Sequence, residues 1–270
     1  MPEAINGDVT IFFEDEGAGT AVLLIHGHTL DRRVWDPVVP RLLDAGLRVI
    51  RPDLRGHGKS TRPDFGYHFT HHAADMEAAL DAAGLEQAVV VGYSVGGGVA
   101  LEMAVTMRER LAALVLVSPV MPDRPFDPEF MDNLKAVARA IRADGVEAAM
   151  RGPWATSPLF EFSFTKPGVR ERVAEITRDF PGAEYLATQR DDVKRSWKLP
   201  DRLSGIELPT RVVAGANEMP GFIAFAEEAA VGIPGATLEL FENCGHLVPL
   251  EEPQRLAEII VALSAESFKR

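Results

Sequence analysis

Val89-Val90-Val91-Gly92-Tyr93-Ser94-Val95-Gly96-Gly97 is the stretch whose reading decides the fold. It begins as a short apolar run suited to a strand buried on both faces. It then passes through G-x-S-x-G into the start of a helical pattern. In that context the turn is tight and strained, and it lifts the serine above the sheet edge. Glycines flank it because the backbone reverses in little space. The helix start also aims backbone N–H groups and a positive dipole end at the serine. Ser94 is therefore the candidate nucleophile, and Val95 is a candidate donor of an oxyanion-binding N–H. The competing reading is a glycine-rich turn with an incidental serine.

Outward from this turn the chain alternates. Apolar runs at 22–25 (VLLI), 47–50 (LRVI), 88–91 (AVVV), 114–117 (LVLV), 211–213 (RVV) and 237–241 (TLELF) read as strands. Helical spacing occupies 35–45, 73–83, the stretch from Ser94 towards Arg108, and 253–263. Gly84 is placed to end the second of these helices. The alternation predicts an α/β fold, a mostly parallel sheet with helices on both faces. Residues 9–14 (VTIFFE) read as an N-terminal strand in an antiparallel hairpin.

The rhythm breaks after a proline cluster, Pro119, Pro122, Pro125 and Pro128. Helical pieces follow at 132–143, 146–150, 169–177 and 183–193, and strands resume beyond Pro209. Residues 1–120 and 205–270 are thus expected to form the core and 121–204 a helical cap. Ligands in open α/β folds bind at the sheet edge such a cap covers. An ordinary helical continuation of the fold is the plainer alternative.

A serine hydroxyl needs a base. Of seven histidines, His246 lies after the last strand and before the last helix, in Asn243-Cys244-Gly245-His246. That suits a chain order of serine, acid, histidine. The acid belongs after the penultimate strand, where Glu218 stands. Glu227 and Glu228 compete from further along, inside a helical pattern. Leu24-Ile25-His26-Gly27-His28 nominates His28 as the second backbone oxyanion donor.

Other motifs read as structural. Asp53-Leu54-Arg55-Gly56-His57-Gly58-Lys59-Ser60 lacks the spacing of a phosphate loop and is taken as a glycine turn. His71 and His72 open a polar helix and are expected to be exposed. Arg33 is better read as a surface ion-pair partner than as a contact for a substrate carboxylate. No cluster has metal-ligand spacing and no dinucleotide fingerprint follows a strand, so neither metal nor cofactor is expected. In the cap, Met150, Trp154, Phe160, Phe162, Phe164, Phe180, Tyr185 and Trp197 supply apolar surface. Trp154, Phe160 and Trp197 are the candidate substrate contacts.

Composition bounds the rest. The 270 residues carry a net charge of −12, which disfavours nucleic acid and anionic membrane surfaces as partners. Cys244 is the single cysteine, so no internal disulfide can form. The N-terminal stretch lacks a signal-peptide pattern and no apolar run has membrane-spanning length, so a cytoplasmic location is expected.

The H-G loop at His26-Gly27, the D-x-R-G-x-G turn from Asp53 to Gly58, the G-Y-S-V-G-G elbow and the G-H loop at His246 together resemble the α/β-hydrolase superfamily. Within it, the chain is most similar to small capped esterases and 3-oxoadipate enol-lactonases. The resemblance implies an eight-stranded sheet, a Ser–acid–His triad of Ser94, Glu218 and His246, and no cofactor. Family members usually carry aspartate where this chain has Glu218. Haloalkane dehalogenases and related epoxide hydrolases carry aspartate at the position of Ser94, so those chemistries do not fit. The expected substrate is a small, mainly apolar carboxylic ester or lactone. Carbon–carbon cleavage of a diketone, cofactor-free perhydrolase or haloperoxidase activity, and a non-catalytic ligand receptor on the same fold are the alternatives.

Overall fold

The computed structural model describes residues 2–189, 191 and 193–267. Strands β1 (Glu3–Asn6) and β2 (Val9–Gly17) form the expected antiparallel hairpin. β3 (Ala21–Ile25), α1 (Val39–Asp44), β4 (Arg48–Pro52), α2 (Phe69–Ala82), β5 (Ala88–Tyr93), α3 (Val95–Thr106) and β6 (Leu111–Val117) follow in alternation. Then come α4 (Pro128–Asp144), α5 (Val146–Ala149), α6 (Val169–Thr177) and α7 (Ala183–Leu186), with no strand among the described residues between β6 and β7. β7 (Thr210–Gly215), α8 (Pro220–Gly232), β8 (Thr237–Phe241), α9 (Val248–Glu251) and α10 (Pro253–Ser267) complete the chain.

The eight strands lie in the order β1-β2-β4-β3-β5-β6-β7-β8. From β4 to β8 every pairing is parallel, and β2 joins antiparallel to β4. Because β3, β5 and β6 are covered on both faces, their residues are almost all apolar and buried. β8, at the edge, instead alternates exposed and half-buried positions. α1 packs on α10, and α2 packs on α3. Chain order reverses between β3 and β5, which opens a crevice at their C-terminal ends. The loop of His28 and the turn of Ser94 border that crevice.

Three sequence expectations are corrected. Residues 35–45 are not one helix: a short turn at Arg32–Trp35 precedes α1. Pro37 and Pro40 lack the N–H groups that would join them. The helix expected over 183–193 stops at Leu186; Arg190 and Asp192 lie outside the described residues. Asp64 accepts from the backbone N–H of Thr188 (2.7 Å) and draws the chain out of helical register. His72 is buried and His71 half-buried rather than exposed, because this face of α2 turns inwards, with the His72 ring 6.4 Å from that of Tyr67.

Candidate active site

The elbow after β5 explains its own glycines. A Cβ on Gly92 would stand 2.2 Å from the Gly96 carbonyl oxygen, and one on Gly96 would stand 2.3 Å from that of Ile25. Both obstacles are backbone, so neither position accepts a side chain. Between them Ser94 takes φ 54°, ψ −117°, a conformation that costs a non-glycine residue on the order of 1–3 kcal/mol. Its backbone N–H donates to Val117 O (2.9 Å), tying the turn to β6. Val95 is the first residue of α3, so its N–H lies outside the helix's own ladder. No hydrogen bond from the His28 N–H is seen among the described residues.

The ends of β7 and β8 bring two more side chains to the same place. His246 Nε2 lies 3.1 Å from Ser94 Oγ, and His246 Nδ1 lies 3.0 Å from Glu218 Oε2. Glu218 Oε1 accepts from the Gly215 N–H (2.9 Å) and from the Ser118 hydroxyl. With donors on every side Glu218 acts as acceptor only, which places a proton on Nδ1 of His246 and leaves Nε2 free to accept from Ser94. Glu227 and Glu228 sit within α8, and Glu228 pairs with Arg124 instead. The ring of Phe222 meets that of His246 edge-on at 4.6 Å, and Tyr93 packs at 5.3 Å.

A cavity of about 320 Å³ opens above these groups. Ser94, Val95, His28 and His246 line it, and Trp154 and Phe160 from the 121–204 segment complete its wall. Trp197 does not. It borders a separate surface pocket with Val105 and Arg202, its ring faced by Arg195 at 4.3 Å and Arg202 at 5.6 Å. Two guanidinium groups flank it there, away from the cavity of Ser94, so it is not placed to touch a substrate. Arg33 pairs with Asp31 and Asp179, as a structural ion pair.

Sequence reasoning missed several lining groups. His57 belongs to the glycine turn, which is structural: Asp53 accepts from the backbone of Arg32 and Lys59 and holds it closed. Yet the His57 ring faces the cavity, as do His72, Tyr67 and Glu184. Only the tertiary fold brings these distant positions together. Burial pushes His28 down to about 4 and His57 to about 3, and it pushes His72 well below the usual histidine range. Each shift favours the neutral ring at pH 7; His28 Nε2 lies 2.8 Å from the Tyr185 hydroxyl and His57 Nδ1 lies 3.0 Å from Arg55 O.

Comparison with known proteins agrees with the fold. A model described as the alpha/beta hydrolase family matches residues 22–259, and the chain belongs to that family. A Synechocystis sp. protein provisionally named a non-heme chloroperoxidase is 37% identical over 252 residues, covering 89% of each chain. A thermophilic esterase from Thermogutta terrifontis, solved with malate bound, is 29% identical with a TM-score of 0.80, over 98% of this chain and 97% of that one. Est816, described as an N-acyl homoserine lactone degrading enzyme, is 28% identical with a TM-score of 0.78, over 97% and 99%. Among the described residues no helix is long and apolar enough to cross a membrane.

Proposed function

We propose that this protein is a serine hydrolase that cleaves a carboxylic ester or lactone through an acyl-enzyme. The observation that carries the reading is the continuous chain Ser94 Oγ–His246 Nε2 (3.1 Å) and His246 Nδ1–Glu218 Oε2 (3.0 Å), with Ser94 and His246 lining one cavity and Glu218 behind the histidine. In this reading His246 takes the Ser94 proton as Oγ attacks the carbonyl carbon. Glu218 stabilises the imidazolium that forms. The N–H groups of His28 and Val95 receive the oxyanion. His246 then protonates the leaving alcohol and activates the water that releases the acid. Residues 121–204 act as the cap, with Trp154 and Phe160 against the substrate.

An ester and lactone panel run beside Ser94→Ala tests it. The expected result is a loss of at least about 10³-fold in kcat with the fold intact. Full turnover by Ser94→Ala would refute the reading. A second reading rests on the relative named for chloroperoxidase chemistry. There, hydrogen peroxide replaces water as acceptor from the same acyl-enzyme and gives a peracid. Peroxide-dependent halogenation in a carboxylate buffer, absent in Ser94→Ala, distinguishes it from plain hydrolysis.

A further inference from the structure

Glu184 and Tyr185, both on α7, reach the cavity that holds Ser94. The Tyr185 hydroxyl lies 2.8 Å from His28 Nε2, and Glu184 Oε2 lies 3.5 Å from His28 Nδ1. His28 is neutral, so its two nitrogens divide their roles. The tyrosine donates to Nε2, and the remaining N–H points towards Glu184 at a distance too long for a good hydrogen bond.

Glu184 is therefore an acceptor with spare capacity. Glu218 and Glu251 each take three donors, whereas Glu184 has the one long approach from His28 among the described residues. No described lysine or arginine lines the cavity, and Glu184 is its only described carboxylate. The surrounding protein desolvates this carboxyl and raises its pKa, yet its side chain is 45% accessible. The carboxyl thus lines the cavity while remaining partly open. Around that space stand the rings of Tyr67, Phe126, Phe130, Trp154, Phe160 and Tyr185.

One unpaired carboxylate among aromatic faces is the chemistry that recognises an alkylammonium group, by charge pairing and cation–π contact. A carboxylate or phosphate placed there meets a like charge with no cation to offset it among the described lining residues. The net charge of −12 adds a long-range field that draws cations in. We propose that Glu184 defines a subsite for a protonated amine, so that the preferred substrates are esters or lactones carrying an ammonium group away from the scissile carbonyl. This rests on the hydrolase reading above.

Three p-nitrophenyl esters of similar length test it: 6-aminohexanoate, hexanoate and the adipate half-ester. The expected order of kcat/KM is ammonium, neutral, carboxylate. Glu184→Gln should lower the ammonium ester about tenfold or more and leave hexanoate within about threefold. A second arm uses Ser94→Ala protein and calorimetry with hexylammonium and hexanoate. Hexylammonium should bind more tightly, and adding Glu184→Gln should erase the difference. If hydrolysis needs Ser94 but the ammonium preference is absent or survives Glu184→Gln, the subsite falls alone. If Ser94→Ala hydrolyses hexanoate like the parent, the hydrolase reading falls and the calorimetric order decides the subsite.

Discussion

The hydroxyl of Ser118, the residue that follows β6, donates a hydrogen bond to Oε1 of Glu218, which lies beyond the end of β7. Ser118 itself is fixed by its N–H to Val213 O at 2.7 Å. Together with the Gly215 N–H it holds one oxygen of a side chain longer than aspartate, and the other oxygen is left for His246. In the proposed mechanism Ser118→Ala should therefore lower kcat about tenfold with KM little changed, since the hydroxyl would act by placing the acid rather than by touching substrate. Glu218→Asp should cost more, because the shorter chain cannot reach the Ser118 and Gly215 donors and His246 together. Steady-state kinetics on one ester decides both. A Ser118→Ala enzyme at parental kcat would show that Glu218 needs no such support.

The glycines of the two loops predict different failures. At Gly96 an added methyl meets backbone oxygens of Ile25 (2.3 Å), the last residue of β3, and His26 (2.6 Å), the next along the chain, and neither can move without moving the strand end. Gly96→Ala should destabilise by about 3 kcal/mol or more, roughly a 5 °C fall in Tm or greater for a chain of this size. At Gly27 the methyl meets Tyr93 Cε1 (2.9 Å) and Ser94 Cβ (3.0 Å), which are side-chain atoms. Gly27→Ala should fold with a smaller loss of Tm but a larger loss of activity, because it pushes directly on Ser94. Thermal melts paired with ester assays separate the two. Equal Tm losses would contradict the distinction.

Acid should weaken the fold through its buried histidines. His26 is fully buried; its Nε2 accepts from Leu54 N–H (2.9 Å), so its Nδ1–H donates to Gly27 O (2.8 Å). Burial lowers its pKa from 6.5 to about 4. Above pH 6.5 neither state holds the proton and the full stability is present. Between pH 6.5 and about 4 the unfolded chain takes up a proton that the folded chain does not, so stability falls as pH falls. By pH 5 the loss from His26 alone is about 2 kcal/mol, and His28 and His57 act in the same direction. Urea melts at pH 7.5 and 5 measure this. His26→Gln, whose amide oxygen can accept from Leu54 without titrating, should flatten the slope. An unchanged slope in that variant would remove His26 from the account.

The sheet was legible because parallel strands buried on both faces must be written in apolar runs, and each of the six runs became a strand. The elbow was legible because only glycine satisfies the clearances at Gly92 and Gly96. The loops of His246 and Glu218 followed from strand order, and the structure brings His246 to Ser94 and Glu218 to His246. What stayed hidden depends on which way a side chain faces after folding. His72 looked like a polar helix start, and nothing local says that its face turns inwards. Trp197 looked like pocket wall, but Arg195 and Arg202 hold its ring elsewhere. Glu184 is an ordinary acidic residue by sequence. Its place in the cavity comes from the end of a short helix within the 121–204 segment, where clearances and strand order offer no guide.

Glu251 links that segment to the histidine loop. Its Oε1 accepts from Ser163 Oγ (2.6 Å) and from Leu247 N–H (3.0 Å), and its Oε2 accepts from Gly245 N–H (2.8 Å). The residues on both sides of His246 are thus held by one carboxylate, and Ser163 ties that carboxylate to the segment from 121 to 204. Ser163→Ala removes its bond to Glu251 and a longer one from the Leu247 N–H (3.3 Å), but both backbone N–H bonds to Glu251 remain and keep the loop clamped, so kcat should fall no more than about threefold. Glu251→Gln replaces an acceptor oxygen by an NH2 group that faces a backbone N–H. That donor–donor clash should free one side of the loop, lower kcat about tenfold or more, and leave KM nearly unchanged. The same variant should lose some protection against hydrogen exchange at Gly245 and Leu247, measured by mass spectrometry on folded protein. If Glu251→Gln kept both kcat and that protection, His246 would have to be positioned by its aromatic neighbours Phe222 and Tyr93 instead.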